Sequence, residues 1–159
     1  MRWMAAAVMA AAVLAATRPA VAEIVAGQAP VQGGVTLVNG GTVAAIYVDE
    51  KDAAVVGIAG GELASDVERV TGTKLRVLHD PAQLGANAVI AGTIGQSALI
   101  DQLIAAGKID VTDVKGQWET FKVAVVQHPL PNVQSAVVIV GSDRRGAAYG
   151  IFDLSEAIG

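Results

Sequence analysis

Near its C-terminal end the chain carries an unbroken apolar run, Val137-Val138-Ile139-Val140, that meets a polar turn, Gly141-Ser142-Asp143-Arg144-Arg145, and then a pattern with helical spacing through Glu156. That succession predicts a buried strand feeding directly into a helix, the repeating unit of an α/β fold. Asp143 is placed to accept hydrogen bonds from the free N–H groups at the helix start, and its charge suits the positive end of the helix dipole. Gly146 and Gly150 would each cost an exposed helix about 1 kcal/mol relative to Ala, so they predict close approach to another backbone and a helix covered on more than one side. At 100° per residue Ala147, Ile151, Leu154 and Ile158 form the face that packs on the sheet. Tyr149 and Phe152 fall on the opposite face, rimmed by Arg145 and Glu156, where a complete domain would be polar. An exposed aromatic patch of that kind predicts an interaction surface.

The rest of the chain supplies the other layers. Val35–Val38 and Val43–Val48 flank Asn39-Gly40-Gly41-Thr42, a hairpin signal in which Asn-Gly takes the central, positive-φ positions. Apolar residues Val55, Val56, Ala59, Leu63, Val67 and Val70 recur every three or four positions between Asp52 and Val70, predicting a helix stopped by Gly72. Gly57, Gly60 and Gly61 lie inside it without the G-x-G-x-x-G spacing of a dinucleotide site, which favours tight helix-to-sheet contact. Glu62 and Asp66 share one helix face. Paired carboxylates can cleave a glycosidic bond when they flank a cleft, but a solvated face beside Arg69 accounts for them.

Short strands are expected at Lys74–Leu78 and Ala88–Ala91, with His79-Asp80-Pro81 as a turn between them. Gly92-Thr93-Ile94-Gly95-Gln96 leads into a helix from Ser97 to Ala106. Such a loop can bind an anion through free N–H groups, whereas a plain strand-to-helix connection capped by Ser97 needs no ligand. Val111–Gly116 reads as a polar connection. Trp118–Val126 reads as a strand entering the core, with Trp118 as a lid over it. His128-Pro129-Leu130-Pro131 reads as a rigid turn that leads back to the strand from Ser135 to Gly141. His79 and His128 each follow a strand, so both could lie at one sheet edge, yet two histidines without a third ligand are a weak metal signal and read as turn residues. The links Leu78–Ala88 and Val126–Ser135 are too short for crossover helices, so several strands are expected to pair antiparallel. The expected fold class is α/β, a mixed β-sheet covered by helices.

The N-terminus has Arg2, an apolar run from Met4 to Ala16, and Ala20-Val21-Ala22, the three parts of a secretory signal with a core too short to span a bilayer. Cleavage is expected after Ala22, with export to the periplasm or medium. Residues 23–34, rich in Gly, Ala, Pro and Gln, are expected to form a flexible leader, and 35–159 one domain. Removing residues 1–22 takes Arg2 and Arg18 away, so the eleven basic residues fall to nine against fifteen acidic ones, a net charge of −6. That balance argues against a nucleic-acid partner, and no membrane partner is expected once the signal is gone. The chain has no cysteine, which excludes thiol catalysis, disulfides and thiolate metal sites. No cofactor or metal is expected.

Residues 141–159, Gly-Ser-Asp-Arg-Arg-Gly-Ala-Ala-Tyr-Gly-Ile-Phe-Asp-Leu-Ser-Glu-Ala-Ile-Gly, resemble the segment that ends the N-terminal domain of glycoside hydrolase family 115, the xylan α-1,2-glucuronidases. Val67-Glu68-Arg69-Val70-Thr71-Gly72, Gly92-Thr93-Ile94-Gly95-Gln96-Ser97, Leu99-Ile100-Asp101-Gln102-Leu103 and Lys115-Gly116-Gln117-Trp118-Glu119-Thr120-Phe121 resemble the same domain in the same order. The chain departs from the family at Arg144, usually Lys, and at Ala147 and Ala148, usually bulkier. The resemblance implies an α/β accessory domain ahead of an (α/β)8 catalytic barrel, with the catalytic carboxylates on barrel loops and (4-O-methyl)glucuronic acid removed from xylan. This sequence ends at Gly159, before the position of that barrel, so no catalytic residue is expected in it and it reads as a fragment inactive alone. Arg144 and Arg145 are the candidates to reach a substrate carboxylate in the complete enzyme, and Tyr149 and Phe152 the candidates to dock the barrel. A stand-alone secreted carbohydrate-binding module and a purely structural docking domain are the competing readings. The first of these needs an exposed aromatic platform built from Trp118, Tyr47, Tyr149, Phe121 or Phe152.

Overall fold

The computed structural model describes residues 24, 26–29 and 32–159. The expected signal segment, with its cleavage after Ala22, lies outside the described residues. A short antiparallel hairpin comes first, β1 (Val38–Asn39) against β2 (Thr42–Val43). Its two-residue loop is Gly40-Gly41 rather than Asn39-Gly40. Asn39 stays in the strand opposite Thr42, while Gly40 takes the positive φ of 55° that a side chain would resist.

The main sheet contains β3 (Ala45–Val48), β4 (Arg76–Leu78), β5 (Asn87–Thr93), β6 (Phe121–Leu130) and β7 (Val133–Gly141), in the order β4-β3-β5-β7-β6. The first four neighbours run parallel, and only β6 is antiparallel, to β7. The antiparallel pairing expected across the Leu78–Ala88 link is therefore wrong: β4 and β5 flank β3 and both run with it. β4 is only three residues long, so a loop with one 3-10 turn at Pro81–Gln83 suffices for the return.

Across the link after Val126 the expected antiparallel pairing is present, but the position of the turn differs. His128, Pro129 and Leu130 are not a turn but the end of β6, and the chain reverses at Pro131-Asn132. β6 is an edge strand, and its register shifts between Gln127 and Leu130 with His128 at φ 49°, so the missing N–H of Pro129 interrupts no regular rung. Asn132 fixes the turn by donating to the carbonyls of Leu84 and Pro81 at 2.9 and 3.2 Å.

Alternation along the apolar strands divides the core into two layers. Ile46, Val48, Val89, Ala91, Val137 and Ile139 face α1 (Ala54–Thr71) and α3 (Arg144–Ile158), whose Val56, Leu63, Val67, Ala147, Ile151 and Leu154 complete that layer. On the other side Tyr47, Ile90 and Val138 pack against Leu99, Ile100 and Leu103 of α2 (Ala98–Ala105). The segment Val111–Gly116, expected to be a polar connection, also contributes here, because its Val111 and Val114 are buried in this layer together with the preceding Ile109. Val55 and Val70 of the α1 pattern are exposed, and of its three glycines Gly60 alone lies tight on the sheet, against Val48.

Of the α3 glycines, Gly146 makes the expected close approach to another backbone, whereas Gly150 is packed by side chains. A Cβ on Gly146 would strike the carbonyl of Thr120, and one on Gly150 would come within 2.6 Å of Ile139 Cγ2 and 3.0 Å of the Phe121 ring. The helix is thus pressed onto the start of β6 and onto β7, while its Ser155 hydroxyl bonds Asp66 of α1. In the segment before β1, Ile24 packs against the α1/α3 layer, and the carbonyls of Gly33 and Gly34 accept from Gln127 and Ser135.

Candidate functional site

Parallel strands bring their C-terminal ends to one edge, and the loops there are where an α/β domain builds sites. Two turns occupy it. The first lies where connections leave β3 and β5 in opposite directions. Helix α1 has Ala53 as its N-cap and no side-chain cap; Asp52, just before it, accepts from the N–H of Ala53 at 2.7 Å and from that of Thr93 at 2.7 Å. Asp49 accepts from Lys51 at 2.9 Å and from Ala98, the first residue of α2, at 2.9 Å. Asp101 reaches back to the N–H of Gly95 at 2.9 Å. Within the Gly92–Gln96 loop the N–H groups of Thr93 and Gly95 are thus held by carboxylates and those of Ile94 and Gln96 by the carbonyls of Gly141 and Thr93, and Ser97 caps α2 as the connection reading requires. Burial works against the charge of Asp49, yet its bonds to the N–H groups of Lys51 and Ala98 prevail and keep its carboxyl below the usual range. The adjacent Tyr47 phenol is pushed up to about 12, by burial first and then by the charge of Asp49.

The second turn joins β7 to α3. Asp143 caps the helix, its Oδ1 accepting from Arg145 N and Gly146 N at 2.9 Å each. Its other oxygen accepts from Glu119 N at 2.8 Å, so one carboxylate also pins the approach to β6. Hydrogen bonds from the Gly146 and Glu119 backbones hold this carboxyl below its ordinary pKa against a smaller opposing effect of burial. Thr120 N donates to Ser142 Oγ at 3.0 Å, and Ser142 N to Thr120 O at 2.8 Å. The Arg145 guanidinium donates to the Tyr149 hydroxyl at 3.2 Å and meets Glu119 Oε1 at 2.6 Å, and these two contacts, in that order, hold it more firmly protonated.

The sequence-predicted residues divide accordingly. Arg145 is committed to Glu119 and Tyr149, whereas Arg144 beside it is exposed and makes no ion pair among the described residues. Tyr149 and Phe152 are 41% and 44% exposed on the outer face of α3. Trp118 is not a core lid. β6 begins only at Phe121, Glu119 turns the chain at φ 50°, and Trp118 is left 80% exposed. Nothing in the sequence signalled the roles of Glu119 and of its backbone. The bonds of Asp49 and Asp52 across to the other strand's loop were likewise not legible in the sequence, because their partners Ala98 and Thr93 lie more than forty positions away.

Other candidates do not assemble. Asp66 is paired with Arg69 and Ser155 on the α1 surface, and exposed Glu62 faces no second acid across a cleft. The histidines are at opposite ends of the sheet, because β6 runs against its neighbours: His79 follows β4 and bonds the Val48 carbonyl at 2.8 Å, while His128 lies near the end of β6 where β7 begins. Among the described residues no three His, Asp or Glu side chains are grouped to hold a metal ion.

A five-stranded mixed sheet with helices on both faces defines an α/β domain. One solved structure that it matches is a 4-O-methyl-α-glucuronidase of family GH115, described as having specificity for decorated arabinogalactans; the two share 30% identity with a TM-score of 0.60 over 75% of this chain and 14% of that one. The chain is a GH115-related domain, and it spans about one seventh of that relative's length. No protein-family model matches the chain, and no curated protein matches it.

Proposed function

We propose that the chain is the N-terminal, non-catalytic accessory domain of an exported GH115-type α-glucuronidase that removes uronic acid side chains from glucuronoxylan, and that it is inactive by itself. The observation that carries this reading is the match of three quarters of the chain to a small part of a much larger glucuronidase. The disposition of its acids agrees, since the carboxylates at the strand edge are spent on backbone N–H groups and those of α1 sit on an open face. In this reading Tyr149 and Phe152 dock the catalytic domain, and the bonded Arg145 sets the edge of that contact. The test is uronic acid release from glucuronoxylan by the purified chain. No release above a heat-inactivated control is expected, and release that a point change within residues 32–159 abolishes would overturn the reading. A stand-alone carbohydrate-binding module is the second reading, favoured by the exposure of Trp118.

A further inference from the structure

Among the described large apolar side chains Trp118 is the most exposed, at 80%. It is also carried on a firmly held turn. Glu119 N is bonded to Asp143, Thr120 N to Ser142, the Thr120 hydroxyl to the Trp118 carbonyl at 3.0 Å, and the Glu119 carboxylate to Arg145. Glu119 accepts a left-handed backbone conformation that a side chain disfavours, and no burial of the neighbouring indole offsets it. A turn fixed this way pre-organises an aromatic plane toward solvent, which lowers the ordering cost of binding something flat against it.

The chemistry around the ring narrows what that is. The cores of protein interfaces are depleted in charged residues, yet this turn has an ion pair, Arg145–Glu119, immediately beside the indole. A pyranose ring has the complementary character: an apolar C–H face for the indole and a rim of hydroxyls for charged and polar groups. Arg144 adds a cation with no ion pair of its own. It flanks Asp143, to which the Glu119 backbone is tied, so it belongs to the same turn cluster, and a guanidinium binds a carboxylate through two parallel hydrogen bonds. We propose that Trp118 and Arg144 form a glycan-contact site for a pyranose chain bearing a uronate, the indole stacking on a sugar ring and Arg144 pairing with the carboxylate. The site rests on the reading of the chain as part of a glucuronidase and gives that domain a substrate-holding role next to the docking face on α3, the two joined through Arg145, which bonds both Glu119 and Tyr149.

Intrinsic fluorescence tests it. The chain has two tryptophans, so a Trp3→Phe chain leaves Trp118 as the sole emitter. Titration with glucuronoxylan should shift its emission to shorter wavelength, and calorimetry on the parent chain should give the same saturation point. Trp118→Ala should weaken binding about tenfold or more with an unchanged melting temperature, in line with roughly 1.4 kcal/mol for a lost ring contact. Arg144→Gln should weaken binding to glucuronoxylan but not to xylan stripped of uronate, and added salt should weaken the first more than the second. Phe152→Ser, at a residue that makes no hydrogen bond or ion pair with Arg145 or Glu119, should leave glycan affinity alone. An emission that does not move at saturating glycan, or that moves only with protein concentration, overturns the site in favour of a protein contact. Equal binding of both xylans by parent and Arg144→Gln overturns the role of Arg144. Uronic acid release by the chain alone would sink the accessory-domain reading and leave these binding results as they stand.

Discussion

The two turns at the carboxyl edge use the same device to opposite ends. At the β3/β5 turn, Asp49, Asp52 and Asp101 satisfy the N–H groups of Ala53, Thr93, Ala98 and Gly95, and the carboxylates close the place where an anion would sit. At the β7/α3 turn, Asp143 satisfies three N–H groups, but the segment it pins carries Trp118 outward, and the helix it caps exposes Arg144, Tyr149 and Phe152. Carboxylate capping therefore does not by itself mark or exclude a site; what decides is whether the pinned segment turns its side chains into the core or away from it.

The largest expected effect breaks the second turn. Gly146→Ala places a methyl group against the Thr120 carbonyl, and because backbone rather than a flexible side chain must move, unfolding in urea should show a loss of about 3 kcal/mol. Trp118 should then lose its fixed setting, which its fluorescence anisotropy would report.

Asp52→Ala attacks the closed turn next. It leaves the N–H of Thr93, a buried residue, without its partner and should cost about 2 kcal/mol, measured by the same unfolding experiment. A fall below about 0.5 kcal/mol would mean that the closed turn is held by packing alone.

Asp143→Ala should cost about 1 kcal/mol as a lost helix cap. The pH dependence sharpens this. The Asp143 carboxyl lies below 3.8 when folded, so its contribution is present above that value and is lost as pH falls through its folded pKa. Thermal unfolding of the parent should therefore steepen in its decline below about pH 4, and the variant should show a shallower acid limb.

The framework behind these predictions was largely legible in the sequence. An apolar run followed by Gly141-Ser142-Asp143 and a 3.6-residue pattern can hardly be anything but β7 feeding a capped α3, and Gly146 and Gly150 announce the contact with β6 that the helix makes. What stayed hidden depends on contacts distant in the chain. His128-Pro129 looks like a turn until β6 is seen to be an edge with a shifted register, where Pro is tolerated. Trp118 looks like a core residue until Asp143 and Ser142, more than twenty positions away, are seen to hold Glu119 and Thr120 and turn the indole out. The polar appearance of Val111–Gly116 hides Val111 and Val114, whose burial follows from the open side of the sheet beside α2.

The smallest change in stability is expected where the difference between the two turns matters most. The central claim is that the surface beside α3 is presented outward for a partner while the β3/β5 turn is closed on itself. The direct measurement is urea unfolding of a chain carrying Tyr149→Ser and Phe152→Ser, with self-association followed by sedimentation. Rings already two-fifths exposed should cost less than about 2 kcal/mol together, and the variant should associate less than the parent. A loss approaching the roughly 3–5 kcal/mol per ring of a truncated core aromatic would show that both rings belong to the domain's own interior, and would contradict the account.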